Sequence, residues 1–315
     1  MNKEMTVEAF QKPSYPQGVA FVEGRYTDMA GAKISVLDWG FLRSDATYDV
    51  AHVWNGRFFR LDKHLARFRH SAERLRMTLP YDDSAITGIL RECVQRAGLE
   101  KAAYVEMIMT RGVSPTFSRD PRDAIGNFMT FAIPFSWIAN AEQRERGLSI
   151  AIASISRIPP ESVDPTIKNY HWLDLIAGLY EAFDRGSESV VLVDGAGNVT
   201  EGPGFNIFAV KNGRLCTPER GVLHGITRQT VFDLCRESNL EIRAAPVPVE
   251  ALREADEVFL SSTAGGIVPI TRIDGEPVSD GRPGPLSQRL AKLYWEKYDE
   301  DAWTTPVVAP ACVKE

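Results

Sequence analysis

From Val19 onward the chain runs in short bursts of alternating apolar and polar residues, interrupted by longer stretches with helical spacing. AFVEGRY, KISVLDWGF and TYDVAHVW each carry the two-residue period of a half-buried strand, and Asn55-Gly56 supplies a tight turn into RFFRL. These segments predict an antiparallel meander. A helix is expected to open at Asp62, with Leu65, Phe68, Ala72 and Leu75 recurring at three and four residues, and a second to run from about Ser84 to Arg96 and stop at Gly98. AAYVEMIMTRG and NFMTFAIPF are read as the next strands. Residues 1 to about 17 are polar, with Pro13 and Pro16, and are expected to form a surface arm.

Between Ser136 and Arg146 the periodicity fades, which predicts a linker between two halves of similar length. The second half opens with the strand LSIAIASIS and the loop SRIPPESVDPTIK, then NYHWLDLIAGLYEAFDRG as an amphipathic helix ending at Gly186. SVVLVD and FNIFAV are strands, Asn212-Gly213 is another hairpin turn, and a helix is expected from about Thr227 to Ser238. EIRAAPV, VEALREA, EVFLSS and the Gly-rich turn TAGG follow. The pattern predicts an α+β or α/β protein divided into an arm (1–17), an N-terminal α/β domain (18–135), a linker (136–146) and a C-terminal domain (147–315). No repeat or low-complexity tract is visible.

A chain of 315 residues with 44% hydrophobic content can bury cores for two such domains. Its net charge of −6 argues against nucleic acid or an anionic membrane as partner and favours a small-molecule site. Cys93, Cys216, Cys235 and Cys312 lie far apart, without metal-ligand spacing, and are expected to be reduced thiols with no metal site. The first residues lack the apolar stretch of a signal peptide, and no window approaches the roughly 20 apolar residues of a membrane span, so a cytoplasmic protein is expected.

Lys168, in DPTIKNYHW, stands between a proline-rich loop and an apolar segment. If it faces the interior, desolvation lowers its pKa and makes the neutral, nucleophilic amine available, whereas a solvated loop lysine would have no such role. Glu201 precedes the rigid turn of EGPGFN, where a carboxylate can pair with a protonated ring nitrogen; the same motif also serves as a plain turn between strands. GITR at Gly225–Arg228 and SSTAGG at Ser261–Gly266 place hydroxyls and free backbone N–H groups where an anion can dock, the first with a helix dipole behind it. Arg67, on the first helix, could add a guanidinium to the same anion. There is no GxSxG elbow, Walker loop, HExxH or strand-linked GxGxxG, and the five histidines, His52, His64, His70, His171 and His224, are scattered without an evident role.

Taken jointly, Arg67, Lys168, Glu201, GITR and STAGG, in this order and at these separations, resemble the class IV aminotransferases, which are fold-type IV pyridoxal-phosphate enzymes. The resemblance runs from about Val19 to about Gly284. It implies a two-domain fold like that of D-amino-acid aminotransferase, with the C-terminal domain binding pyridoxal 5'-phosphate. It implies Lys168 as the Schiff-base lysine and proton shuttle, Glu201 on the pyridine nitrogen, Arg67, Ile226, Thr227 and Thr263 on the phosphate, and Asn206 close to the ring. An amine donor and a 2-oxo acid would then exchange an amino group in a ping-pong cycle. Fold-type IV enzymes are homodimers in which the partner contributes to the pocket, so a homodimer is expected.

Within the family, SDATYDVAHVWNGRFFRLDKH, YVEMIMTRG, DPTIKNYHWLDL and DGRPGP look most like the (R)-selective amine transaminases. That likeness implies Tyr48, Val50, Tyr104 and Glu106 around the substrate, with Thr263 and Ala264 of the turn, and a carboxylate-binding arginine on the loop from Val113 to Arg122, for which Arg119 is the candidate. Branched-chain enzymes more often show a basic residue near the position of Glu106. The amine subgroup usually has histidine before its SD, and here Arg43 stands there; pointing inward it would bind a carboxylate and favour D-amino acids, pointing outward it would change little. Branched-chain or D-amino-acid aminotransferase activity and, further off, aminodeoxychorismate lyase activity are the alternatives within the family. A non-catalytic binding protein on the same scaffold is the alternative outside enzymes.

Overall fold

The computed structural model describes residues 14–308; most of the expected arm, and Cys312, lie outside the described residues. Strand periodicity builds two sheets. In the first, an antiparallel sheet of seven strands, the order is Thr304–Pro306, Arg57–Phe59, Ala46–Trp54, Ala102–Val113, Ile125–Pro134, Val19–Val22 and Arg25–Asp28. The helices Leu61–Arg74 and Asp83–Ala97 cover one face, burying Leu65, Phe68, Ile86 and Leu90 against Ala51, Val53, Val105 and Met107. Because successive side chains on a strand alternate faces, and Val50 pairs with Glu106 and His52 with Tyr104, the residues Tyr48, Val50, His52, Tyr104 and Glu106 share the opposite face.

The predicted strand KISVLDWGF does not form. Asp38 instead caps the short helix Trp39–Arg43, its Oδ1 accepting from the Gly40 N–H at 2.7 Å and its Oδ2 from Thr110 Oγ1 at 2.8 Å. A side chain that offers the backbone a capping acceptor competes with the ladder bonds of a strand. Ile34, Val36, Leu37, Phe41 and Leu42 are left exposed.

The second sheet is mixed, in the order Ile242–Ala244, Arg214–Thr217, Phe205–Lys211, Glu257–Ser262, Gly266–Ile273, Leu148–Ser156 and Ser189–Val193, with Glu201–Gly202 beside the third strand and Glu276–Pro277 beside the fifth. The helices Leu173–Asp184, Ile226–Glu237 and Pro285–Glu296 pack on it. The helix predicted from Asn169 begins only at Leu173, because Asn169 bridges to Thr47 and the Lys168 carbonyl accepts from Tyr48 N–H and Thr47 Oγ1. Residues 136–146, expected as a linker, contain the helix Ala141–Arg146 and lie between strands of the two sheets. The strand Thr304–Pro306 pairs with Arg57–Phe59, so the C-terminal segment crosses back to the first sheet and does not keep to the 147–315 unit drawn from periodicity. We propose the two sheets as the two domains, with that strand assigned to the first.

Candidate active site

The face of the first sheet opposite its helices and the turns at the edge of the second enclose a cavity of 390 Å³, within the usual range for a small-ligand site. Lys168, Arg67, Glu201, Asn206, Ile226, Thr227, Thr263, Ala264, Tyr48, Val50 and Tyr104 all line it. Residues more than a hundred positions apart meet here.

Lys168 reaches the cavity from its loop, with Nζ 4.1 Å from the centre of the Tyr48 ring. Burial, aided by the Arg67 guanidinium, pushes the amine down to about 8, although Asp49, Glu106 and Glu201 oppose the shift. The amine is still mostly protonated near neutral pH, but its neutral fraction is far larger than that of a solvated lysine. Glu201 is buried at the start of its short strand, accepting from the Leu223 N–H at 2.9 Å and pairing with Arg157 at 3.3 Å. Burial raises its pKa against the pull of Arg157. Asn206 Nδ2 donates to the Leu223 carbonyl at 2.9 Å, which fixes the side chain beside the loop that leads into GITR.

The helix Ile226–Glu237 starts at Gly225, and no side chain among the described residues caps it, so its first N–H groups face the cavity without a side-chain partner there. Ser261 Oγ is buried in the same lining without a hydrogen-bond partner among the described residues. Thr263 and Ala264 follow on the turn, where Ser262 Oγ donates to the Gly204 carbonyl and ties it to EGPG.

Sequence reasoning missed Asp49. It is fully buried and grips Arg67 through two bonds, from Nε at 2.7 Å and Nη2 at 2.9 Å, while His64 Nδ1 lies 2.7 Å from the same carboxylate. Burial works to raise its pKa, but Arg67 and His64 prevail and hold it well below the usual carboxylate range. The available signal was an acid in the middle of TYDVAHV, since a buried carboxylate demands a cationic partner. Arg157, which binds both Asp174 at 2.6 Å and Glu201, was missed as well, as were Trp137 and Trp172 in the lining.

Three expected substrate residues are not brought to the cavity wall. Arg43 is exposed, with its guanidinium over the Trp39 ring at 3.5 Å, because the helix Trp39–Arg43 turns it to the surface. Arg119 is exposed on its loop. Glu106 lies behind the wall, accepting from Tyr170 Oη at 2.6 Å and Tyr104 Oη at 3.0 Å. Tyr170 in turn stacks on Tyr48 at 4.3 Å. Of the histidines, His52 has both ring nitrogens buried and unpartnered among the described residues, and burial drives its pKa down to about 3.

An uncapped helix end, a guanidinium, an orphaned hydroxyl, a buried carboxylate and a buried amine together suit a phosphorylated pyridine aldehyde. Comparison with known proteins agrees: the family of class IV amino-transferases matches residues 46–273. The chain belongs to the class IV aminotransferases. It is 31% identical over 277 residues to a putative branched-chain-amino-acid aminotransferase of Methanocaldococcus jannaschii, covering 87% of this chain and 94% of that one. It is 30% identical over 283 residues to the D-alanine aminotransferase of Listeria innocua, covering 88% and 94%. Among solved structures, the branched-chain amino acid aminotransferase of Thermobaculum terrenum in its PLP-form superposes with a TM-score of 0.82 at 26% identity, covering 93% of this chain and 99% of that one. That of Thermoproteus uzoniensis with norvaline gives 0.85 at 29%, covering 92% and 99%. The fold is fold-type IV, and this class IV enzyme is a pyridoxal-phosphate-dependent aminotransferase.

Proposed function

We propose that this aminotransferase moves an amino group from an (R)-amine or a D-amino acid to pyruvate or a related 2-oxo acid. Arg67, the N–H groups of Ile226 and Thr227, and Thr263 would hold the cofactor phosphate, Glu201 its ring nitrogen, and Asn206 would lie near the ring. The cofactor supplies an aldehyde and an electron-withdrawing ring. Lys168 Nζ, with a proton affinity lowered by burial, takes and returns the proton at the substrate carbon. Tyr48, stacked on Tyr170, whose hydroxyl donates to Glu106, forms the floor beneath that amine.

The observation that carries the substrate reading is the absence, among the described residues, of an unpaired cation in the lining. Of its cations, Arg67 is held by Asp49, Arg157 by Asp174 and Glu201, and Lys168 is the reacting amine. The part of the wall made by Tyr48, Val50, Tyr104, Ile133, Trp137 and Ile138 is aromatic or aliphatic, with the uncharged Ser136 and Asn169 among its neighbours and the Glu106 carboxylate behind it. Such a wall suits an aryl or alkyl group better than a second carboxylate. Initial rates with (R)-1-phenylethylamine, D-alanine and L-leucine test this; dominant activity on L-leucine overturns it.

We further propose a homodimer. The exposed large apolar residues Val36, Phe41, Leu42, Phe117 and Ile125 support it, since apolar side chains left in water on one fold are candidates for burial against a second copy. The exposed loop from Val113 to Arg122, with Arg119, would be free to border the pocket of a second copy, and a D-amino acid's carboxylate could be met there. No described helix is long and apolar enough to cross a membrane; a cytoplasmic location is part of the proposal.

A further inference from the structure

A second groove, of 310 Å³, lies behind the active-site cavity. It is walled by Arg144, Ile267, Pro269, Ala291 and Trp295, and by Pro283 of the DGRPGP segment that the cofactor site leaves unexplained. Trp137 lines both spaces. Next to it the two linings part along the turn, with Ala264 on the active-site side and Gly265 on the other. The Ile138 N–H donates to the Ala264 carbonyl at 2.7 Å, which sets this segment against the turn. A Cβ at position 265 would come within 2.9 Å of Ile138 Cγ2 and 4.0 Å of Trp137 Cε3, so glycine there lets the indole and its neighbour lie flush.

The indole is clamped on its other sides. The Arg144 guanidinium stacks on it at 3.5 Å, and Trp54, Phe135 and Trp295 meet it at centroid distances of 5.7, 4.7 and 5.6 Å. Arg144 has no carboxylate partner among the described residues, and the only hydrogen bond of its side chain there is a long one, 3.5 Å, to the Ala139 carbonyl. The ring face is therefore its main contact, as in a cation–π pair.

We infer that Trp137 is a specificity-determining partition: its clamped indole closes the active-site cavity to the groove and sets the largest substituent a substrate can carry. Without the indole the two spaces join into one channel, in which Ile267, Pro269, Ala291 and Trp295, with Trp54 uncovered beside the lost ring, suit a fused aryl group, while Arg144, Glu145 and Gln288 form its polar side. This deepens the amine reading given above and, for the amine series, rests on it. The test is therefore built to separate the two.

Wild type, Trp137→Ala and Trp137→Phe are compared as holoenzymes with (R)-1-phenylethylamine and (R)-1-(2-naphthyl)ethylamine, and with D-alanine and D-2-naphthylalanine. Activity of wild type on (R)-1-phenylethylamine reports on the amine reading alone. The ratio of kcat/KM for the naphthyl over the small substrate, taken in whichever series is turned over, reports on the partition. Binding of 2-acetonaphthone by calorimetry gives a readout independent of turnover. Trp137→Ala raises the ratio and tightens 2-acetonaphthone at least about tenfold, whereas Trp137→Phe, which keeps a ring in the wall, stays within about threefold of wild type. An unchanged ratio and affinity in folded Trp137→Ala, or an equal rise in Trp137→Phe, overturns the inference. If Trp137→Ala does not fold, Arg144→Ala, which frees the indole without deleting it, decides: a rise of about threefold supports the partition and no rise overturns it.

Discussion

Replacing Asp49 by asparagine keeps the shape of the side chain and removes its charge at the point where Arg67 is positioned. The carboxylate accepts from Arg67 Nε and Nη2, lies 2.7 Å from His64 Nδ1 and accepts from the Val50 N–H at 2.8 Å. An amide has one acceptor oxygen and two N–H donors, so it turns a donor toward either Arg67 or His64 and leaves the guanidinium without its counter-charge. The Asp49 side chain is wholly buried and that of Arg67 only 10% exposed, so solvent screens little of the loss. Breaking such a buried pair costs roughly 3–5 kcal/mol. The lower end is expected, because Arg67 Nη1 keeps its bond to the His224 carbonyl at 3.1 Å. Urea unfolding of the apoprotein, with the slope unchanged, should show a loss of about 3 kcal/mol at neutral pH. The folded pKa of Asp49 is depressed below its unfolded value of about 3.9, so its contribution is full above that pH and is lost as pH falls. Wild type and Asp49→Asn should therefore converge in acid. A loosened Arg67 should also weaken pyridoxal-phosphate binding at least about tenfold, read by fluorescence titration. A stability loss under about 1 kcal/mol, the scale of a solvent-exposed pair, together with unchanged cofactor affinity, would refute the view that Asp49 positions Arg67.

Lys168→Ala should lower transamination by at least roughly 10³-fold in initial-rate assays; a variant keeping a tenth of the activity would remove Lys168 from its role. With the amine pushed down to about 8, uptake of pyridoxal phosphate by the apoprotein, followed by absorbance, should accelerate as the pH rises from about 7 to about 9, and a flat profile would contradict a neutral-amine requirement. Glu201→Gln should fold and lose roughly 10²–10³-fold in kcat, since a preorganised charge at the ring nitrogen disappears; a loss within about threefold would argue that Arg157 and the Leu223 N–H define that position without it. Gly284→Ala should destabilise by about 1–3 kcal/mol in chemical denaturation, because its Cβ would fall 2.0 Å from Glu257 Cδ and displace the carboxylate that caps Leu286 and Ser287; a neutral result would mean that Glu257 moves aside freely.

Much of the fold was legible locally. Asn55-Gly56 and Asn212-Gly213 take the positive φ that their turns need, and Gly98 ends its helix in the left-handed region, as the residue types predicted. That Arg67, Lys168, Glu201, Asn206, Ile226, Thr227 and Thr263 would gather around one cavity was legible through their order along the chain. KISVLDWGF misled because its alternation is real but Asp38 finds backbone and Thr110 partners that favour a capped helix. Glu106 misled because two tyrosine hydroxyls, one of them on a different element, draw the carboxylate behind the wall.

By itself the sequence determined the periods of its strands and helices, the turns that separate them, and the supply of one lysine beside an apolar segment, one turn-bound carboxylate and two anion-ready turns. Only the tertiary structure decided which of these meet. The Lys168 carbonyl is held by Thr47, 121 positions away, and Glu201 faces Arg157 across 44. Strand register put Asp49 toward the helices and Val50 toward the cavity, a choice that one residue of slippage would reverse. Burial then acted on the assembled group: the low proton affinity of Lys168 and the raised one of Glu201 arise from a shared enclosure that no single segment contains.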